Sequence, residues 1–65
     1  MVHAALAKLT VVHQEVMTLR FLEDMDVAEI AGVMECSEGT AKSRLHYAKA
    51  AMLRAVREIE EGRDE

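Results

Sequence analysis

From residue 26 onward, apolar residues recur at intervals of three and four, the period of a helix with one buried face. Val27, Ile30, Ala31 and Met34 make the first run. Asp26 before it is an N-cap residue, whose carboxylate can accept from the free N–H groups of the opening turn. The periodicity breaks at Glu35-Cys36, and Ser37 offers a second N-cap. A longer stripe then runs through Ala41, Leu45, Ala48, Met52, Ala55 and Ile59, spaced by four, three, four, three and four. The spacing predicts a scaffold helix over about 26–35 and a second helix over about 37–61, joined by a tight break, with the stripe packing against the other helices.

Upstream, Val2, Ala5, Leu6 and Leu9 predict a first helix of about two turns, stable only through packing. Thr10 is an N-cap for the next helix, which runs from Val11 to Glu23 with Val12, Val16, Leu19 and Leu22 on its apolar face. Glu15, Arg20 and Glu23 fall on its polar side. Glu23-Asp24 ends it and Met25 turns into the core, where Met17, Met34 and Met52 also serve as fillers. Gly62 stops the last helix, and Gly62 to Glu65 is expected to fray, because Glu58, Glu60 and Glu61 oppose the helix dipole. The pattern as a whole predicts an all-α fold: one four-helix domain over 1–65, containing a helix-turn-helix.

Composition supports that prediction. A chain of 65 residues has no room for a second core, and it contains no proline and almost no aromatics. There is no signal-peptide pattern and no apolar run long enough to cross a bilayer. One cysteine forms no internal disulfide, which suits a reducing cytoplasm.

The net charge of −4 argues globally against a nucleic-acid partner, since such affinity rests on neutralising phosphates. The distribution reverses the argument. Residues 40–57 carry Lys42, Arg44, Lys49, Arg54 and Arg57 and no acid, between two acidic segments. At about 100° per residue, the side of the second helix opposite its stripe holds Gly39, Ser43, His46, Tyr47 and Ala50. Lys42 and Lys49 flank that face on one side, Thr40 and Arg44 on the other. Small residues at the front let a helix approach a surface closely, and flanking cations suit phosphates, as a recognition helix in a DNA major groove requires. The competing reading is a solvated face that lacks acids.

At these residues the chain resembles region 4 of bacterial RNA polymerase sigma factors, especially the extracytoplasmic-function (ECF) group. That family reads L-P-x-x-Q/R-R-E-V-x-x-L-R-Y/F, then E-I-A, then S-x-G-T-V-K-S-R-L and a basic helix. The counterparts are Glu15-Val16, Leu19-Arg20-Phe21, Glu29-Ile30-Ala31 and Ser37-Glu38-Gly39-Thr40-Ala41-Lys42-Ser43-Arg44-Leu45, within a likeness from about Leu9 to Arg54. The resemblance implies a helix from Ser37 that binds the −35 promoter element. Glu38, Thr40, Ser43 and Arg44 would approach base edges or the nearest phosphates, and Lys42, His46, Tyr47 and Lys49 would line the backbone. The N–H groups around Gly39 would offer a helix-terminus phosphate site. Glu38 has two readings, an acceptor for cytosine N4 or a carboxylate that simply favours the helix N-terminus. Arg20 likewise has two, a phosphate contact implied by the resemblance or an exposed ion pair with a neighbouring acid.

The resemblance further implies docking on the flap of the polymerase β subunit and capture by an anti-sigma factor. Four positions depart from the family: Thr10 for proline, Glu35 for glycine, Ala41 for valine and Tyr47 for arginine. Glycine suits the turn because the backbone there needs φ > 0, so Glu35 either strains it or takes another path. Other readings are a LuxR-type regulator, or a helical interaction module that dimerises along the Ala41–Ile59 stripe. Cofactor, small-molecule and enzymatic roles find no constellation. His3, His13, His46 and Cys36 lack metal-ligand spacing, and Cys36 reads as packing rather than as a redox thiol.

Overall fold

The computed structural model describes residues 2–62. Four helices follow in order: α1 (Val2–Ala7), α2 (Val11–Met17, widening into one π turn over Thr18–Leu22), α3 (Val27–Met34) and α4 (Glu38–Glu60). Among the described residues there is no strand, and the all-α, helix-turn-helix fold matches the prediction. No helix is long and apolar enough to cross a membrane.

Helix α4 is the spine, and α1, α2 and α3 all pack along it. Its inner side presents Ala41, Leu45, Ala48 and Ala55, all buried, with Met52 and Ile59 half-buried. Alanine at three of these positions lets the shorter helices approach the α4 backbone. Val16 of α2 and Ile30 of α3 fill the space and are wholly buried. Each contributes about 1.5–3 kcal/mol of apolar transfer. Leu9, Met17 and Ala31 complete the cluster, with Met25, Met34, Met52 and Cys36 packed around it. Ala41, Leu45, Ala48 and Ala55 of the stripe are thus covered within the chain, which leaves little of it as a dimerisation seam.

The junctions are hydrogen-bonded as their residues dictate. Thr10 Oγ1 accepts from the His13 N–H at 3.3 Å, as expected of an N-cap. The stop of α1 comes from another source: Gln14 Nε2 donates to the carbonyls of Leu6 (2.9 Å) and Leu9 (3.2 Å). A side chain one helix away therefore adds a second donor to the Leu6 carbonyl, which also accepts from the Leu9 N–H at 3.0 Å, and bonds the Leu9 carbonyl just beyond the helix. Asp26 caps α3 as predicted and, with Glu29, makes a full capping box, both bonds at 2.9 Å.

Of the expected apolar face of α2, Val16 and Leu19 pack inward, whereas Val12 and Leu22 do not. The last turn of α2 is wide, with the Glu23 N–H donating to Thr18 O at 3.1 Å. The extra residue slips the phase, so Leu22 is 68% exposed, while Met17 and Val16 face inward. Val12 also lies on the outside. Asp24 then adopts φ 58°, and the Met25 N–H reaches back to Leu19 O at 3.0 Å, which turns Met25 onto the core.

The break between α3 and α4 passes through Glu35 at φ 56° and ψ 49°, so the turn is strained rather than rerouted. The Cys36 N–H donates to Ala31 O (3.0 Å) and the Glu35 N–H to Gly32 O (3.4 Å), the paired bonds of a Schellman stop. Cys36 follows and packs against the core cluster, which includes Ala31. At the far end Gly62 adopts φ 74° and closes α4, as expected of a helix stop. Glu58 is engaged by Lys8 Nζ at 3.2 Å, which offsets its position near a helix C-terminus. Of the segment expected to fray, residues 63–65 lie outside the described residues.

Candidate nucleic-acid interface

Two features of α4 fix which residues face outward. Ser37 Oγ accepts from the Thr40 N–H at 3.0 Å and donates to Thr40 Oγ1 at 3.0 Å, setting the first turn. Burial of Ala41, Leu45 and Ala48 then fixes the rotation of the helix. Ser37, Glu38, Gly39, Thr40, Lys42, Ser43, His46, Tyr47 and Lys49 are all exposed, and Arg44 is half-buried. Tyr47 is 63% exposed and meets His46 edge to face, ring centroids 5.3 Å apart. A face predicted as the complement of the buried stripe is therefore assembled on one helix.

Gly39 has no structural need to be glycine. A Cβ there would meet only Ser37 Oγ, at 3.9 Å. Its small size is not required by the fold.

Arg20 is the one predicted site residue from outside α4 and its N-cap, and the π turn brings it to the same surface. It lines a notch of about 360 Å³ together with Lys42, His46 and Lys49, floored by Val27 and Leu45. The exposed ion pair with an acid is not what forms. Arg20 Nη1 donates instead to the Met25 carbonyl at 3.4 Å, and its guanidinium carbon lies 5.6 Å from the centre of the Phe21 ring. Lys49 Nζ approaches the same ring at 6.0 Å. Three cations and a histidine converge, and no acid lines the notch.

Sequence reasoning missed Phe21 and Leu22 as surface residues. The one available signal was the adjacency of Leu19, Phe21 and Leu22, which cannot all face inward on one narrow helix. With Leu6, Met17, Thr18 and Met52, Phe21 and Leu22 line an apolar groove of about 270 Å³. A third cleft, of mixed charge and about 410 Å³, lies between the α1–α2 junction and the far half of α4 and includes Lys8, His13, Arg54 and Glu58. Among the described residues, no three His, Cys, Asp or Glu side chains gather to hold a metal ion.

A short scaffold helix, a tight turn and a longer helix that is cationic and acid-free from residue 40 to 57 define a helix-turn-helix DNA-binding domain. The family model for sigma-70, region 4 matches residues 1–52, and the chain belongs to that family. Its members are non-enzymatic domains that bind the −35 promoter element in transcription initiation. The chain is also similar to the ECF RNA polymerase sigma factor SigL from three strains of Mycobacterium tuberculosis. Identity to each is 38% over 55 residues, covering 85% of this chain and 31% of the relative. Membership in this family favours the sigma reading over the LuxR-type alternative.

Proposed function

We propose that this chain is the −35-reading domain of an ECF-type sigma factor and that α4 enters the major groove from its Ser37 end. Ser37, Glu38, Gly39, Thr40, Ser43 and Arg44 lie at the groove-facing front. Lys42, His46, Tyr47 and Lys49 run along the flanking backbone, and Arg20 reaches a phosphate from α2. The observation that carries this reading is the acid-free run from 40 to 57, folded as one helix whose core side is buried and whose cations project from the remainder. Glu38 occupies the first turn, where a carboxylate is favoured by the helix dipole and also stands near base edges.

The partners extend this reading to the polymerase. The groove of Leu6, Met17, Phe21, Leu22 and Met52 offers apolar area of the kind a protein ligand covers. We assign it to the flap of the polymerase β subunit, with an anti-sigma factor competing for the same side of the domain. Action on promoter DNA alongside polymerase places the protein in the cytoplasm.

Fluorescence anisotropy tests the DNA role. A duplex carrying an ECF-type −35 element and a scrambled duplex would be titrated at several salt concentrations. Sequence-preferring binding that weakens with salt is expected. Lys42→Ala and Arg44→Ala should each lower the slope of log K against log salt by about one unit. Absence of binding at low salt would overturn the assignment and shift the basic face to a protein partner.

A further inference from the structure

Phe21 occupies an unusual position. It is 56% exposed, although it is the only phenylalanine in the chain and sits beside a core that lacks aromatics. The π turn places it there, by slipping the phase of α2 after Met17. Two cations from different helices approach its ring: Arg20, its neighbour on α2, with Cζ at 5.6 Å, and Lys49 of α4, with Nζ at 6.0 Å. Both also line the acid-free notch beside the recognition face. Among the described residues, no carboxylate forms an ion pair with either. The ring and the Met25 carbonyl are what orient Arg20, and the ring is what draws Lys49 toward α2.

We infer that Phe21 is a positioning residue of the DNA interface, whose exposed ring holds Arg20 and Lys49 side by side as a two-pronged phosphate grip. The inference rests on the DNA-binding reading above. Its physical basis is pre-organisation. Arg and Lys side chains have many rotamers, and ordering them when a phosphate arrives weakens binding unless they are already held. An aromatic face restrains cations without neutralising them, whereas a carboxylate would cancel the charge that the phosphate needs. Phe21 itself touches no phosphate in this arrangement, so its effect passes through the two cations.

The test uses the whole chain and four sets of variants in the same salt-dependent DNA titration. Phe21→Leu keeps apolar bulk but removes the π face and should weaken binding about three- to tenfold. The salt slope and the melting temperature should stay unchanged, because no charge and no buried contact is lost. Phe21→Tyr retains the ring and should bind within about twofold of the parent. In an Arg20→Gln, Lys49→Gln background, Phe21→Leu should have no further effect, an outcome that a merely structural role would not produce. Parent-like binding by Phe21→Leu, or an equal loss in the double-glutamine background, overturns the inference. Lys42→Gln separates the two levels. If it weakens binding while Phe21→Leu does not, only the Phe21 role falls. If the parent itself does not bind at low salt, the DNA reading falls and takes this inference with it.

Discussion

Replacing Glu35 by glycine should stabilise the protein, and the gain can be worked from the turn. Glu35 sits at φ 56° and ψ 49°, where a Cβ crowds the following carbonyl at a cost of about 1–2 kcal/mol. Glycine removes that cost but loses about 0.5–1 kcal/mol more backbone entropy on folding. The balance is a gain of about 0.5–1 kcal/mol. A chain of 65 residues has an unfolding entropy of about 0.14 kcal/mol/K, from about 2.1 cal/mol/K per residue. The melting temperature should therefore rise by about 4–7 °C. The assay is thermal unfolding followed by circular dichroism at the helix band.

Charge is the confounding effect, and Glu35→Gln isolates it. The carboxylate lies between the C-terminal end of α3, which repels it, and the N-terminal end of α4, which attracts it, so the two largely cancel. Glutamine keeps the side-chain shape and the left-handed backbone, and should recover less than half of the glycine gain. An unchanged or lowered melting temperature for Glu35→Gly would refute the strain argument. So would an equal rise for Glu35→Gln, since the benefit would then come from removing a charge.

Two further variants probe the junction and the helix front. Gln14→Ala should cost about 1–2 kcal/mol by leaving the Leu6 and Leu9 carbonyls without their side-chain donor. Gln14→Glu, which has the shape but no N–H, should lose at least as much at neutral pH; a parent-like melt for it would show that those bonds contribute nothing. Gly39→Ala should raise stability by up to about 1 kcal/mol, since the added methyl meets only Ser37 Oγ at 3.9 Å. The same variant should weaken DNA binding, and equal affinity by anisotropy would remove Gly39 from the contact surface.

The second half of the chain was legible because its signals are local and agree with each other. Asp26 and Ser37 cap their own helices, and a single phase of apolar residues runs from Ala41 to Ile59. Once that stripe is known to be buried, the outward-facing candidates for DNA contact are simply what remains. Helix α2 resisted the same reasoning. Nothing in Thr18–Leu22 demands a π turn; the wide turn emerges where α2 must both bury Met17 against the core and deliver Met25 back onto it. Arg20 was picked out as a contact from resemblance, yet its neighbours in the notch come from α4, and Phe21 between them depends on the slipped phase. Gln14 capping α1 is equally invisible, because the bond joins two elements whose approach is set by packing.

An acidic protein can still bind DNA if its negative charge lies beyond the reach of the interface. Lys42 and Glu58 are sixteen residues apart on one continuous helix, about 24 Å along the axis. The Debye length at physiological salt is about 8 Å, so Glu58, Glu60 and Glu61 act weakly on a phosphate at the front of α4. Glu58 is also occupied by Lys8. The nearer acids have local structural roles: Asp26 and Glu29 close the capping box of α3, and Glu38 sits in the favoured first turn of α4. In the proposed binding mode, what a phosphate meets at close range is the notch of Arg20, Lys42, His46 and Lys49, a positive environment within a chain of net charge −4. Lowering the salt extends the Debye length to about 30 Å at 0.01 M and brings the tail acids into range. The gain in affinity at low salt should then level off sooner than it would for a uniformly basic domain.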